Sequence, residues 1–293
     1  KYNKKIKVDG DKSLSIRFVL LASQAIGMSK AYNLLKSEDV VSTINCLKKL
    51  GVKIKWDKKN NFCLINGNGL NSYVYKDNLT LNGNNSGTCV RLLTSLLINS
   101  SKKIKIVGDK SLSKRDMKRI IDPLTEFGAT FYPKNKNTLP LYIKGSNYLT
   151  PINYLELKGS SQCKSSVMLA ALLAPGETKL MCKPSRNHTE LLFKYLKIPI
   201  KIKKIKNFEI IKIKGRQNFN AFNYNVPSDI SSSAFFIVLT LLSKGSKLIL
   251  EKVGVNKSRT GVIEILNKMG AKINLKNKKN YKGEIVADIH VRS

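Results

Sequence analysis

Gly10-Asp11-Lys12-Ser13-Leu14-Ser15-Ile16-Arg17 sets a cation, two hydroxyls and a second cation at the head of the apolar run Phe18 to Ala22. The pattern reads as a helix start that binds anions. The first-turn N–H groups and the macrodipole attract phosphate or carboxylate there, and Lys12 and Arg17 add formal charge. Ser13 and Arg17 are four apart, so on a helix they share a face and can grip one ligand together. Taken alone, the octapeptide also fits a capped helix with a solvated Lys and Arg. Repetition along the chain changes that balance.

The same grammar of small polar residues before an apolar helix recurs three times. Asn85-Ser86-Gly87-Thr88 precedes Val90 to Leu97, Ser160-Ser161-Gln162 precedes Val167 to Ala174, and Asp229 to Ser233 precedes Ala234 to Leu242. The markers Ser13, Ser86, Ser160 and Ser231 are 71 to 74 residues apart. A fixed period with this much internal agreement signals an architecture built from repeats, and four units account for all 293 residues.

Each unit reads as strand, buried helix, strand, amphipathic helix and closing strands. In the first, Ile6 to Val8 is expected as a strand, Ser13 to about Ile26 as an interior helix ended by Gly27, and a helix capped by Ser37 as a cover. Val52 to Trp56 and Phe62 to Asn66 close it. In the second, Gly87 lets a backbone N–H approach a ligand with no Cβ in the way, and Pro123 inside the amphipathic helix is expected to kink it. The third offers Ser160 and Ser161 with Lys164 close behind; His188 reads as a packed or capping residue rather than a catalyst. Residues 198 to 214 alternate isoleucine and lysine, which on a strand turns isoleucine to the core and lysine to water.

At 42% hydrophobic content the chain can bury one large or two ordinary cores, and two domains are expected. No apolar run approaches the ~18 residues of a membrane span, and no hydrophobic signal region follows Lys1 to Lys5. Five cysteines, scattered and never in a Cys-x-x-Cys pair, point to free thiols in a reducing cytoplasm rather than to a disulfide frame or zinc. With two histidines, His188 and His290, no histidine-based metal centre is expected. The net charge of +34 invites a nucleic-acid reading, but the lysines are dispersed and no basic motif interleaves aromatics.

The ordered segments resemble the enolpyruvyl transferases, most closely the 5-enolpyruvylshikimate-3-phosphate synthase branch. The resemblance rests on Asp9 to Arg17, Asn84 to Arg91, Lys114 to Met117, Ser160 to Gln162, Ser185 to Thr189 and Ser228 to Ser232. It covers essentially the whole chain. It implies an α/β fold of repeated βαβαββ units, six in two domains, of which four are present here. Residues 11–225 would form one complete three-unit domain, and 1–10 with 226–293 the beginning of the second.

The implied reaction transfers the carboxyvinyl group of phosphoenolpyruvate to the 5-hydroxyl of shikimate 3-phosphate, losing phosphate and using no metal or organic cofactor. By the same resemblance Lys12 would sit between the substrates as the catalytic lysine, and Ser13 and Arg17 would hold the shikimate carboxylate. Ser160, Ser161 and Arg186 would hold the 3-phosphate, Gln162 would touch both ligands, and Gly87 and Arg115 would take the phosphate of phosphoenolpyruvate. Glyphosate sensitivity, a cytoplasmic location and a monomeric full-length protein are also implied. The catalytic aspartate, the glutamate and lysine near the reacting carbons and the carboxylate-clamping arginines of the family would lie past residue 293, so the chain alone is expected to bind without turnover.

Asp9 and Asp116 stand where proline is common, and Asn84 and Ser228 where glycine is common. These departures leave the local backbone open, and Asp116 places an anion beside Arg115. Two rivals remain. One is the UDP-N-acetylglucosamine enolpyruvyl transferase, against which the Lys12-Ser13 and Ser160-Ser161 pairs argue; the other is a basic, non-enzymatic nucleic-acid binder supported by charge alone.

Overall fold

A computed structural model describes residues 1–293. The chain runs through the same six elements four times. The first set is β1 (Asn3–Ile6), α1 (Lys12–Gln24), β2 (Ile26–Tyr32), α2 (Glu38–Lys49), β3 (Lys53–Asp57) and β4 (Phe62–Asn68). The second is β5 (Thr80–Asn82), α3 (Gly87–Ser95), β6 (Ile104–Val107), α4 (Lys118–Glu126), β7 (Thr130–Tyr132) and β8 (Leu141–Lys144). The third is β9 (Asn153–Glu156), α5 (Ser161–Ala171), β10 (Glu177–Cys182), α6 (His188–Tyr195), β11 (Ile200–Ile205) and β12 (Phe208–Lys214). The fourth is β13 (Asn223–Asn225), α7 (Ile230–Leu242), β14 (Lys247–Gly254), α8 (Gly261–Lys268), β15 (Lys272–Tyr281) and β16 (Glu284–Arg292).

Every set yields a four-stranded sheet, but two sets exchange their first strands. β1 pairs in parallel with β14, giving the order β1-β14-β16-β15, while β13 pairs in parallel with β2, giving β13-β2-β4-β3. The strand expected at Ile6 to Val8 therefore lies at Asn3–Ile6 and completes the fourth sheet, not the first. Periodicity locates a strand; it does not say which edge will take it. The chain passes between the two bodies side by side, with Asp11 N–H on the Pro227 carbonyl at 2.8 Å and Asp229 N–H on that of Asp9 at 3.0 Å.

Two separate cores result. Fifty-nine buried apolar residues between Leu14 and Val226 form one cluster. Twelve more, Val8 with residues from Ile230 to Val291, form the other. In the larger body α1, α3 and α5 are the interior helices, buried along nearly their whole length with polar residues such as Arg17, Arg91 and Lys164 included, and Phe18 meets Phe222 edge-on at 5.1 Å. α7 is the matching helix of the smaller body, yet Phe235, Leu239 and Leu242 on it are 79%, 55% and 80% exposed.

Two local expectations change. α1 ends at Gln24, and Gly27 lies inside β2. Residues 198 to 214 form an antiparallel hairpin, β11 against β12, and Ile205 at its tip is exposed. Pro123, expected to kink its helix, lies within the continuous α4, and the Arg119 carbonyl, whose i+4 N–H partner proline removes, accepts instead from the Cys163 thiol at 3.0 Å.

Candidate functional site

The starts of α1 and α5 face one another across a cleft of about 790 Å³ between sheets, and no apolar side chain lines it. Its walls carry five cations, Lys12, Arg17, Arg119, Lys158 and Arg186, and no carboxylate. Ser13, Thr88, Ser160, Ser161, Ser185 and Ser258 add hydroxyls, and Gln162 adds an amide. A concave surface of this composition suits a small polyanion, because guanidinium, ammonium and hydroxyl donors replace the water that such a ligand sheds.

The residues are held from beneath. Arg17, 4% exposed, donates from Nε to Thr189 Oγ1 at 2.8 Å, from Nη1 to the Ser13 carbonyl at 3.1 Å and from Nη2 to Ser165 Oγ at 2.7 Å. Burial lowers its pKa to about 10, which leaves it charged at neutral pH. Burial, with Arg259 nearby, also lowers that of Arg186. Gln162 ties α5 to α3, accepting from Arg91 Nη1 at 2.6 Å and donating to Thr88 Oγ1 at 2.9 Å. Ser160 caps α5 by accepting the Cys163 N–H at 3.3 Å, and its own N–H goes to Glu156 Oε2 at 3.1 Å.

The seven residues Lys12, Ser13, Arg17, Ser160, Ser161, Gln162 and Arg186 thus share one cavity. Gly87 and Arg115 do not line it. They lie beyond Thr88, where a Cβ built on Gly87 would stand 3.3 Å from Arg91 Nη1 and 3.4 Å from Arg115 Nη1. Two guanidinium groups therefore converge on the open side of that glycine. The α1 start differs from the open anion site read from its sequence: the Lys12 N–H is taken by Asp229 Oδ2 at 3.2 Å and the Leu14 N–H by Asp11 Oδ1 at 2.9 Å. Side chains, more than bare amides, make the site there. The Lys12 ammonium leans to Asp39 Oδ2 at 3.4 Å.

Lys164 points away from the cleft. Fully buried, it stands 2.5 Å from Glu190 Oε1 and 3.6 Å from Glu209 Oε2, under the floor of the site. His188 is also buried, packed at the first turn of α6 with Nδ1 at 2.6 Å from Glu284 Oε1. Arg119 and Lys158 were missed in the sequence. The spacing of Arg115 and Arg119, and a lysine directly before Gly159-Ser160, were the available signals.

Three of the four departures from the usual turn residues have simple accommodations. Asn84 adopts φ 48°, in the region asparagine tolerates. Ser228, fully buried, donates to the Val8 carbonyl at 2.9 Å. Asp116 turns its Oδ1 to the N–H of Lys118, the first residue of α4, at 2.7 Å, while its carbonyl accepts from Arg91 Nη2 at 3.1 Å. No helix is long and apolar enough to cross a membrane.

The EPSP synthase (3-phosphoshikimate 1-carboxyvinyltransferase) family matches residues 1–291. The 3-phosphoshikimate 1-carboxyvinyltransferase of Petrotoga mobilis is 39% identical over 295 residues, which cover 99% of this chain and 67% of the relative. That of Ruthia magnifica is 42% identical over 289 residues, covering 98% and 65%. A solved structure of EPSP synthase from Acinetobacter baumannii aligns with a TM-score of 0.89 at 37% identity, over 99% of this chain and 64% of that one. The chain spans about two thirds of the length of these relatives.

Proposed function

The chain belongs to the EPSP synthase family, and from that premise we propose that its cleft holds shikimate 3-phosphate for carboxyvinyl transfer from phosphoenolpyruvate. The observation that carries this reading is one cavity with five cations, six hydroxyl side chains, no carboxylate and no apolar wall. Shikimate 3-phosphate carries a phosphate at one end and a carboxylate at the other. In this proposal Ser160, Ser161 and Arg186 take the phosphate, and Ser13 and Arg17 the carboxylate. Arg17 suits that task because its protein contacts leave guanidinium N–H groups over for a ligand.

The phosphate of phosphoenolpyruvate then falls to Gly87 and Arg115, across the wall that Gln162 and Thr88 share. In the same proposal Lys12 acts between the two ligands, where an ammonium favours negative charge developing on either of them. Its pairing with Asp39 is 48% exposed on the lysine side, so an incoming anion can displace it at little cost. We further propose that residues 11–225, around the larger core, act as the shikimate 3-phosphate domain, with 1–10 and 226–293 contributing to a second. Five free, buried thiols agree with a reducing cytoplasm.

Titration calorimetry with shikimate 3-phosphate tests the assignment. Saturable binding is expected, and Arg17→Ala should weaken it roughly ten- to a hundredfold, the loss of a charge-assisted contact of about 1.5 to 3 kcal/mol. Absence of binding by the unaltered chain would remove the reading.

A further inference from the structure

Arg259 lies in the loop before α8, next to Ser258 on the cleft wall, and its side chain is 7% exposed. One guanidinium fork reaches both places where the chain crosses between the bodies. Nη1 donates to Asp11 Oδ2 at 3.0 Å; Nη2 donates to Asp229 Oδ1 at 3.2 Å and to Ser231 Oγ at 2.7 Å. Asp11 caps α1 and Asp229 caps α7, so the two carboxylates hold equivalent positions in the first and fourth repeats. Both are at least nine-tenths buried. Asp229 also takes the N–H of Lys12.

The contacts around it cross the same seam. His188 Nε2 lies 3.3 Å from Arg259 Nη1 and its Nδ1 2.6 Å from Glu284 Oε1, so the ring joins α6 to β16. Asn256 donates to both Asn187 and Glu284, at 2.8 and 3.0 Å. Arg186 in the cavity wall feels both aspartates and Arg17 feels Asp11, but Arg259 alone forms ion pairs with Asp11 and Asp229.

We infer that Arg259 is a positioning residue for the cleft ligand: it neutralises the two aspartate caps that would otherwise face an incoming polyanion and fixes the first turn of α1 against the second body. The inference rests on the cleft being the shikimate 3-phosphate site. Without the guanidinium, two like charges share one small buried space at the mouth of an anion site, which is unfavourable for them and for the ligand.

Two measurements separate this inference from the reading beneath it. Hydrogen exchange without ligand should be faster in peptides spanning 9–15 and 226–233 of Arg259→Gln, and unchanged in β6 and β8. Calorimetry with shikimate 3-phosphate should show binding by Arg259→Gln weakened by about tenfold or more, a change within reach of one unmasked charge at this range. Arg259→Lys should fall between the two. Adding Asp11→Asn and Asp229→Asn to Arg259→Gln should return most of the affinity, because asparagine still caps a helix but carries no charge. Exchange in 9–15 and 226–233 as in the unaltered chain would overturn the positioning role, whether or not shikimate 3-phosphate binds. Weakened binding that neutral caps fail to restore would overturn the electrostatic part. Failure of the unaltered chain to bind, with faster exchange in Arg259→Gln, would count against the ligand alone.

Discussion

Lys164 sits where a sequence reader looks for a substrate ligand, four residues after Ser160, yet it faces the interior. On α5 a residue one turn past the cap shares its side of the helix only approximately, and here Glu190 and Glu209 draw the ammonium under the floor. Neither Glu190 carboxylate oxygen makes a well-formed hydrogen bond, although Oε1 is within ion-pair distance of Lys164. The ion pair is thus the main compensation for a buried charge. Lys164→Met should destabilise the chain by about 3 to 5 kcal/mol, since it strands Glu190, and adding Glu190→Gln should recover part of that loss. Urea unfolding of the single and double variants measures both. Equal stability of Lys164→Met and the parent would show that the pair is not needed.

At the scale of elements, the closing strand of each unit in the larger body passes over the end of its interior helix. A glycine stands there each time. A Cβ on Gly67 would lie 2.3 Å from the Ala25 carbonyl oxygen, one on Gly145 2.3 Å from that of Ile98, and one on Gly215 2.0 Å from that of Ala174. None of the three has positive φ, so close approach, not backbone freedom, is what requires glycine. The obstructing atoms are backbone and cannot rotate away. Gly215→Ala is expected to cost about 3 kcal/mol or more, at the upper end for overpacking, and thermal unfolding reads it directly. A midpoint unchanged within error would mean that α5 and β12 can separate freely.

The whole molecule carries its thiols inside, and burial pushes those of Cys63, Cys163 and Cys182 up to about 12 from 9.0. Below pH 9 both folded and unfolded chains keep these protons, so stability does not depend on them. Above pH 9 the unfolded chain releases them first, the folded chain then binds more protons, and stability falls as pH rises. Arg17 works the other way, but only above its folded value of about 10. The urea midpoint should therefore fall between pH 9 and 10, and less steeply in a chain with all three cysteines changed to alanine. A midpoint flat over that interval would contradict the burial of the thiols.

The repeat and the interior helices were legible because local rules write them: apolar periodicity places a helix, and small polar residues mark its start; the seven residues of the cleft were named as one set by the resemblance of their motifs to a family. Sequence also located Gly87 and Arg115, but not that they stand beyond the cavity wall. What tertiary structure decided depends on partners distant in the chain. Which sheet β1 and β13 complete is settled by where the two crossings bring their edges, since one short strand pairs as readily with one parallel neighbour as with another. Arg259 could not be read as part of the site because Asp11 is 248 residues away from it. The direction of Lys164 is of the same kind: a buried charge points toward whatever neutralises it, and only the folded chain brings Glu190 and Glu209 there.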